Sequence, residues 1–177
     1  MFETTLLIIS LILLVWCIVI YNLLVRDKNR VLAAWSDISV QLKRRHDMIP
    51  KLVDAVNIYT RYEQAVMDEI TRLRSSADLE ESPAKKGRIE ELLTNRVVDI
   101  IAVAEEYPDL KASTEFLELM NQLTDVENHI QYARRYYNGA VRNLNIRIDS
   151  FPDLLIARFF NFIPAEFFEF DPSVRQQ

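Results

Sequence analysis

The chain opens with an unbroken apolar run. From Thr4 to Val25 it reads TTLLIISLILLVWCIVIYNLLV, without a charged residue. At about 1.5 Å per residue, a helix of that length matches the roughly 30 Å hydrocarbon layer of a bilayer. Residues 1–25 are therefore read as a transmembrane anchor. Tyr21 approaches the end of the run, where an aromatic ring rests at headgroup level, and Arg26, Lys28 and Arg30 flank it immediately afterwards. Met1, Phe2 and Glu3 lack the basic start of a cleavable signal peptide, so the span is expected to be retained. The basic flank follows the span, which puts the N-terminus outside and residues 26–177 in the cytoplasm, a single-pass arrangement.

Beyond the anchor the apolar positions take a helical period. Val31, Trp35, Ile38, Leu42, Arg45, Ile49, Leu52, Val56, Tyr59, Glu63, Val66, Ile70 and Leu73 alternate steps of four and three, and only Arg45 and Glu63 break the stripe. Such a seam predicts a long helix packed in a coiled-coil-like way, continuous with the anchor and bent between His46 and Pro50, where proline lacks an N–H. Residues 75–82 read as a loop, and Ser82-Pro83 as the cap and first turn of a second helix carrying Ile89, Leu93, Val97 and Ile100. Tyr107-Pro108 stops it, and Ser113 or Asp109 caps a third helix from about Thr114 to about Asp149. The expected fold is all-α, with the transmembrane helix followed by an antiparallel bundle of three long helices and a short C-terminal helix.

After Phe151-Pro152 the tail carries Phe159, Phe160, Phe162, Phe167, Phe168 and Phe170, more aromatic surface than water tolerates. It is expected either to seal the bundle or to lie in a membrane interface or partner site. Sealing is favoured, because three helices running out, back and out would end the third far from the bilayer.

Composition narrows the function. Two glycines, Gly87 and Gly139, are too few for a turn-rich sheet protein, and a net charge of −5 disfavours a nucleic-acid binder. The single cysteine, Cys17, sits in the apolar run and offers neither a disulfide nor a second metal ligand.

Two polar clusters are candidates for interaction. Lys43, Arg44, Arg45 and His46, followed by Asp47, suit an anionic headgroup, a phosphate or an acidic partner. Ion pairs inside the bundle are the favoured reading, with Glu63, Glu127, Asp125 or Asp149 as acceptors, because a seam arginine must be paired. The second cluster comprises Glu127, Asn128, Arg134, Arg135, Tyr136, Tyr137, Asn138 and Arg142. Within it, small Gly139 is expected to let another helix approach, and Tyr137 and Asn138 to donate hydrogen bonds between helices. Neither His46 nor His129 follows a glutamate by three residues, as a di-iron bundle requires, and no phosphate loop, zinc spacing or nucleophile elbow occurs. No cofactor, metal or small-molecule substrate is expected.

Three stretches together resemble the LemA family: Tyr21 to Tyr59, with AWSDISVQLKRR and DMIPKLV; Glu127 to Pro152, with ENHI, ARRYYNGAV and FP; and the aromatic run through Phe168 and Glu169. The resemblance implies a bacterial membrane protein with an N-terminally anchored antiparallel helical bundle. It supplies no generally accepted enzymatic activity, and one related protein is associated with building magnetosome membranes. The expected role is a non-enzymatic, membrane-anchored scaffold that associates with itself or with other membrane proteins. The alternative is a membrane-remodelling or signal-relaying module that binds lipid through its Phe-rich tail.

Overall fold

The computed structural model describes residues 1–59 and 64–169, all helix or connecting segments, with no strand among them. Helix α1 runs from Phe2 to Asn57, with Pro50 inside it, and joins the apolar run to the striped segment in one element. It is followed by α2 (Gln64–Leu79), α3 (Pro83–Ala104), α4 (Pro108–Lys111), α5 (Thr114–Asp149) and α6 (Asp153–Phe159). The long first helix expected to reach Leu73 is thus two helices. The Tyr59 N–H turns to the Val56 carbonyl at 3.0 Å, which closes α1, and Glu63 lies outside the described residues.

Local signals set most boundaries. Ser82 has extended backbone and its Oγ accepts from the Lys85 N–H, with Pro83 opening α3. Ser113 Oγ accepts from the Phe116 N–H at 3.3 Å and starts α5. The segment 75–82 is shorter as a loop than its polarity suggests, because α2 continues to Leu79. Ala77 is buried there and Ser75 Oγ donates back to the Thr71 carbonyl at 2.9 Å, so serine stays inside a helix whose apolar side is covered.

The chain forms two compact units. The first comprises Met1–Ser36 and Tyr136–Ala165, the second Asp37–Arg135 and the chain from Glu166 onward. In the first unit, Ile20, Leu24, Val31 and Ala34 of α1 are buried together with Tyr137, Val141, Leu144 and Ile148 of α5 and Ile156 and Ala157 of α6. Asp27 meets Arg147, and the Trp35 ring lies 5.4 Å from that of Tyr137. Partner numbers on α5 fall as those on α1 rise, so the two helices are antiparallel. This corrects the expectation that the third long helix ends far from the bilayer. The interruption after Asn57 adds one reversal of direction, which returns the end of α5 to the anchor.

In the second unit the seam residues Ile38, Leu42, Ile49, Leu52 and Val56 are buried with Ile70 and Leu73 of α2, Leu93, Val97 and Ile100 of α3, and Phe116, Leu123, Val126 and Ile130 of α5. Phe168 is buried here too, while Phe170 lies outside the described residues.

The close approach expected at Gly139 occurs at Gly87 instead. A Cβ at Gly139 would meet nothing within 4 Å, so no helix approaches it closely. A Cβ at Gly87 would collide with the backbone of Glu169, including its carbonyl carbon at 2.9 Å. Gly87 is where the extended C-terminal segment lies directly on α3, flanked by Arg88 Nη2 donating to Glu169 Oε2 at 2.8 Å and Ser82 Oγ donating to Glu166 Oε2 at 2.6 Å.

Two alanine substitutions should therefore have opposite effects on unfolding of the full-length chain in detergent. Gly87→Ala should lose about 1–3 kcal/mol through overpacking. Gly139→Ala, in an open helix interior, should gain about 0.5–1 kcal/mol. The reverse order would contradict this account of both glycines.

Candidate functional site

Two polar or aromatic assemblies stand out, one in each unit. In the first, the uncharged stretch of α1 is bare of protein contacts until its last turns, where Ile20 and Leu24 become buried. Just beyond it Asp27, itself buried, is the centre of an ion-pair ladder. Arg147 Nε donates to Asp27 Oδ2 at 2.7 Å and Arg147 Nη1 to Asp153 Oδ2 at 2.9 Å, while Arg30 Nη1 approaches Asp27 Oδ1 at 3.4 Å and Arg26 Nε at 3.7 Å. Arg26, Lys28 and Arg30 are exposed, as interfacial anchors must be, yet two of them also balance a carboxylate that sequence reasoning passed over.

The ladder holds α6 and the turn after it against α1. Asn161 takes a left-handed backbone (φ 53°), a conformation asparagine tolerates, and closes α6. The Phe162 N–H donates to the Ala157 carbonyl at 2.9 Å and the Asn161 N–H to the Arg158 carbonyl at 3.3 Å, a Schellman pair. The Asn145 side-chain amide then clasps Ala165, donating to its carbonyl at 3.0 Å and accepting from its N–H at 2.8 Å. The turn delivers two rings to the end of the apolar run: Phe160 at 4.7 Å and Phe162 at 5.9 Å from the Tyr21 ring. Phe159 packs edge-on against Phe160 but is 76% exposed, and in the same unit Ile163 is 80% and Phe151 79% exposed. The tail therefore divides. Phe168 seals the second unit, Phe162 is half-buried, and Phe159, Phe160 and Phe167 remain exposed.

The second assembly surrounds Arg45, the cation on the seam. Its guanidinium donates to both the carboxylate and the main-chain carbonyl of Glu90, to Glu127 Oε2 at 3.1 Å and to Thr94 Oγ1 at 2.7 Å. Thr94 Oγ1 in turn donates to the Glu90 carbonyl at 2.9 Å. His46 stands between two carboxylates, Nδ1 at 3.1 Å from Asp78 Oδ1 and Nε2 at 3.0 Å from Glu90 Oε1. Carboxylates only accept, so both contacts are hydrogen bonds when each ring nitrogen carries a proton. Glu90 is fully buried. Burial alone would raise its pKa, but the hydrogen bond from His46 and the charge of Arg45 outweigh that and hold it below the ordinary carboxylate value.

The basic cluster thus splits by helix face. Arg45 and His46 point inward, whereas Lys43 and Arg44 are exposed, Arg44 reaching only Gln41 at 3.3 Å. Of the acceptors proposed from sequence Glu127 is used, and Glu90, the principal one, was missed. Its signal was weak, a lone glutamate on the apolar face of α3 beside Leu93. In the α5 cluster Tyr137 is buried against Trp35, Arg134 and Asn138 are half-buried, and Arg135 lies 5.0 Å over the Tyr132 ring. His129 and Asp125 form a surface pair one turn apart at 3.4 Å.

Among the described residues one N-terminal helix is long and apolar enough to cross a bilayer, and it continues into a helical bundle, the build of a membrane-associated, all-helical protein. The chain belongs to the LemA family, which it matches over residues 34–177. It is similar to Protein LemA of Metamycoplasma hominis, 32% identical over 135 residues, covering 73% of this chain and 60% of that protein. It is also similar to magnetosome protein MamQ 2 of Paramagnetospirillum magneticum, at 24% identity over 179 residues, and to magnetosome protein MamQ of Magnetospirillum gryphiswaldense, at 21%. Each MamQ alignment covers 86% of this chain and 66% of the relative. The chain spans less than two thirds of the length of these relatives.

Two measurements test the Arg45 cluster. Arg45→Met should cost about 3–5 kcal/mol of unfolding free energy, because it strands buried carboxylate charge, and the double variant Arg45→Met/Glu90→Leu should recover a large part of that loss. No recovery would mean that the pair does not act as a unit. The depressed pKa of Glu90 contributes stability above its ordinary value of 4.5, and the contribution is lost as pH falls below that through the folded-state value. The wild-type chain should accordingly lose thermal stability more steeply on acidification than Glu90→Gln does, and parallel acid limbs would remove the electrostatic role.

Proposed function

We propose that this chain is a non-enzymatic, membrane-anchored helical scaffold that is seated on the bilayer twice, by its anchor and by the aromatic elbow formed by α6 and the turn after it. The contact of Phe160 with Tyr21 carries the reading. Matching the apolar run to a bilayer puts Tyr21 at headgroup level, so a ring stacked on it shares that depth. Phe159, Ile163 and Phe151 then extend into the interface, where burying each large apolar side chain is worth about 1.5–3 kcal/mol relative to water. Arg26, Lys28 and Arg30 face the anionic, cytoplasmic side in this arrangement, with the N-terminus outside. The membrane of reference is the bacterial inner membrane.

The scaffold role draws on the absence of a recognisable nucleophile, phosphate loop or metal spacing in the sequence, and on the exposed helical surface of the second unit. Self-association through the α1 seam has no support from the packing, because that seam is buried within one chain. A partner, whether a second copy or another membrane protein, would meet other surface, such as that carrying Val40, Leu92, Val98 and Leu117, all exposed.

Spin labels on the full chain in vesicles, in a Cys17→Ser background, test the seating. A label at Phe159→Cys should be accessible to oxygen and shielded from a water-soluble nickel chelate, as at Ile18→Cys and unlike Leu92→Cys. A label at position 159 as open to nickel as that at 92 would sink the proposal.

A further inference from the structure

The first unit contains a cleft of about 570 Å³ between α1 and the turn that follows α6. Its lining is apolar at Val25, Leu32, Leu144, Phe160 and Ile163 and polar at Lys28, Asn29 and Asn161. We propose that this cleft holds one anionic glycerophospholipid, with an acyl chain against the apolar walls and the phosphate at Lys28; the inference rests on the bilayer-seated reading above.

Three observations select this occupant. Tyr21 and Val25 of the uncharged stretch line the cleft, so in the bilayer-seated arrangement this side of it meets the edge of the hydrocarbon layer. From Tyr21 to Lys28 is about 10 Å along a helix, the order of a headgroup layer, so one molecule can span from chain to phosphate. Finally, the lining has a lysine and no carboxylate among the described residues, which favours a negative headgroup over a zwitterionic one. The Asn145 clasp on Ala165 and the left-handed Asn161 hold the far wall in place, so the cleft is built before the lipid arrives. Nothing in the sequence pattern announces it, since its two walls are separated by more than a hundred residues of chain.

The test uses the full chain in nanodiscs containing equal amounts of phosphatidylglycerol and phosphatidylcholine, released and weighed by native mass spectrometry. The wild type should retain one phosphatidylglycerol. Leu32→Trp, which fills the cleft from an exposed position on α1, should lose it, and so should Ile163→Trp, which narrows the cleft from the opposite wall. Lys28→Gln should retain lipid without headgroup preference. Retention that is indifferent to headgroup in the wild type, or unchanged in both tryptophan variants, identifies annular lipid and overturns the inference. The spin label at position 159, read in the same discs, separates the two proposals. An immersed label without a retained lipid overturns this site alone, whereas a label in water overturns the seating as well.

Discussion

The uncharged stretch from Thr4 to Val25 is long and apolar enough to cross a bilayer, and what packs on its last turns shares their position along the helix. Ile20 and Leu24, on those turns, are buried in the first unit, unlike the exposed residues earlier in the stretch. The first buried charge after the stretch, Asp27, is matched at once by Arg147, which also holds Asp153 at the start of α6. A buried carboxylate is costly when unpaired, and this one has a guanidinium at 2.7 Å with two further arginines nearby. The ladder ties the end of α5 to α1 just beyond the apolar run, and the aromatic elbow follows from it.

The Arg45 cluster places a second constraint, within the second unit. Arg45 occupies a position where the period calls for an apolar side chain, and α3 and α5 answer with Glu90, Thr94 and Glu127. Such a cluster constrains register, because its partners must meet in one alignment. Sliding α3 by one turn would leave Glu90 buried without its cation, a penalty of several kcal/mol, whereas hydrophobic contacts alone would tolerate the slip more easily. The guanidinium itself supplies the positive centre among these carboxylates.

The phenylalanine-rich tail combines two behaviours in a short segment. Phe168 is a core residue, and the chain beside it lies so close to α3 that only a glycine fits at position 87. Phe159 and Phe160, a few residues earlier, sit at the end of the apolar run and stay outside the core. Identical side chains thus serve opposite ends of the hydrophobic effect, sealing protein in one place and presenting a surface in the other. The turn at Asn161 separates them.

Signals that act over a few residues were legible in the sequence: the uncharged run, the Ser82-Pro83 cap, the stop at Tyr107-Pro108, and α5 from Thr114 to Asp149. Each is a local matter of length, capping or the missing N–H of proline, so no distant residue could change it. The seam was legible too, but a period of seven survives a break in the helix, and the end of α1 at Asn57 left the apolar pattern intact. That single interruption reversed the direction of every later helix. Only the tertiary structure could decide the consequences, since they depend on which residues distant in sequence become neighbours: Glu90 on Arg45, Glu169 on Gly87, Phe160 on Tyr21. Composition and period name the residues that must be covered, whereas chain direction and register choose what covers them.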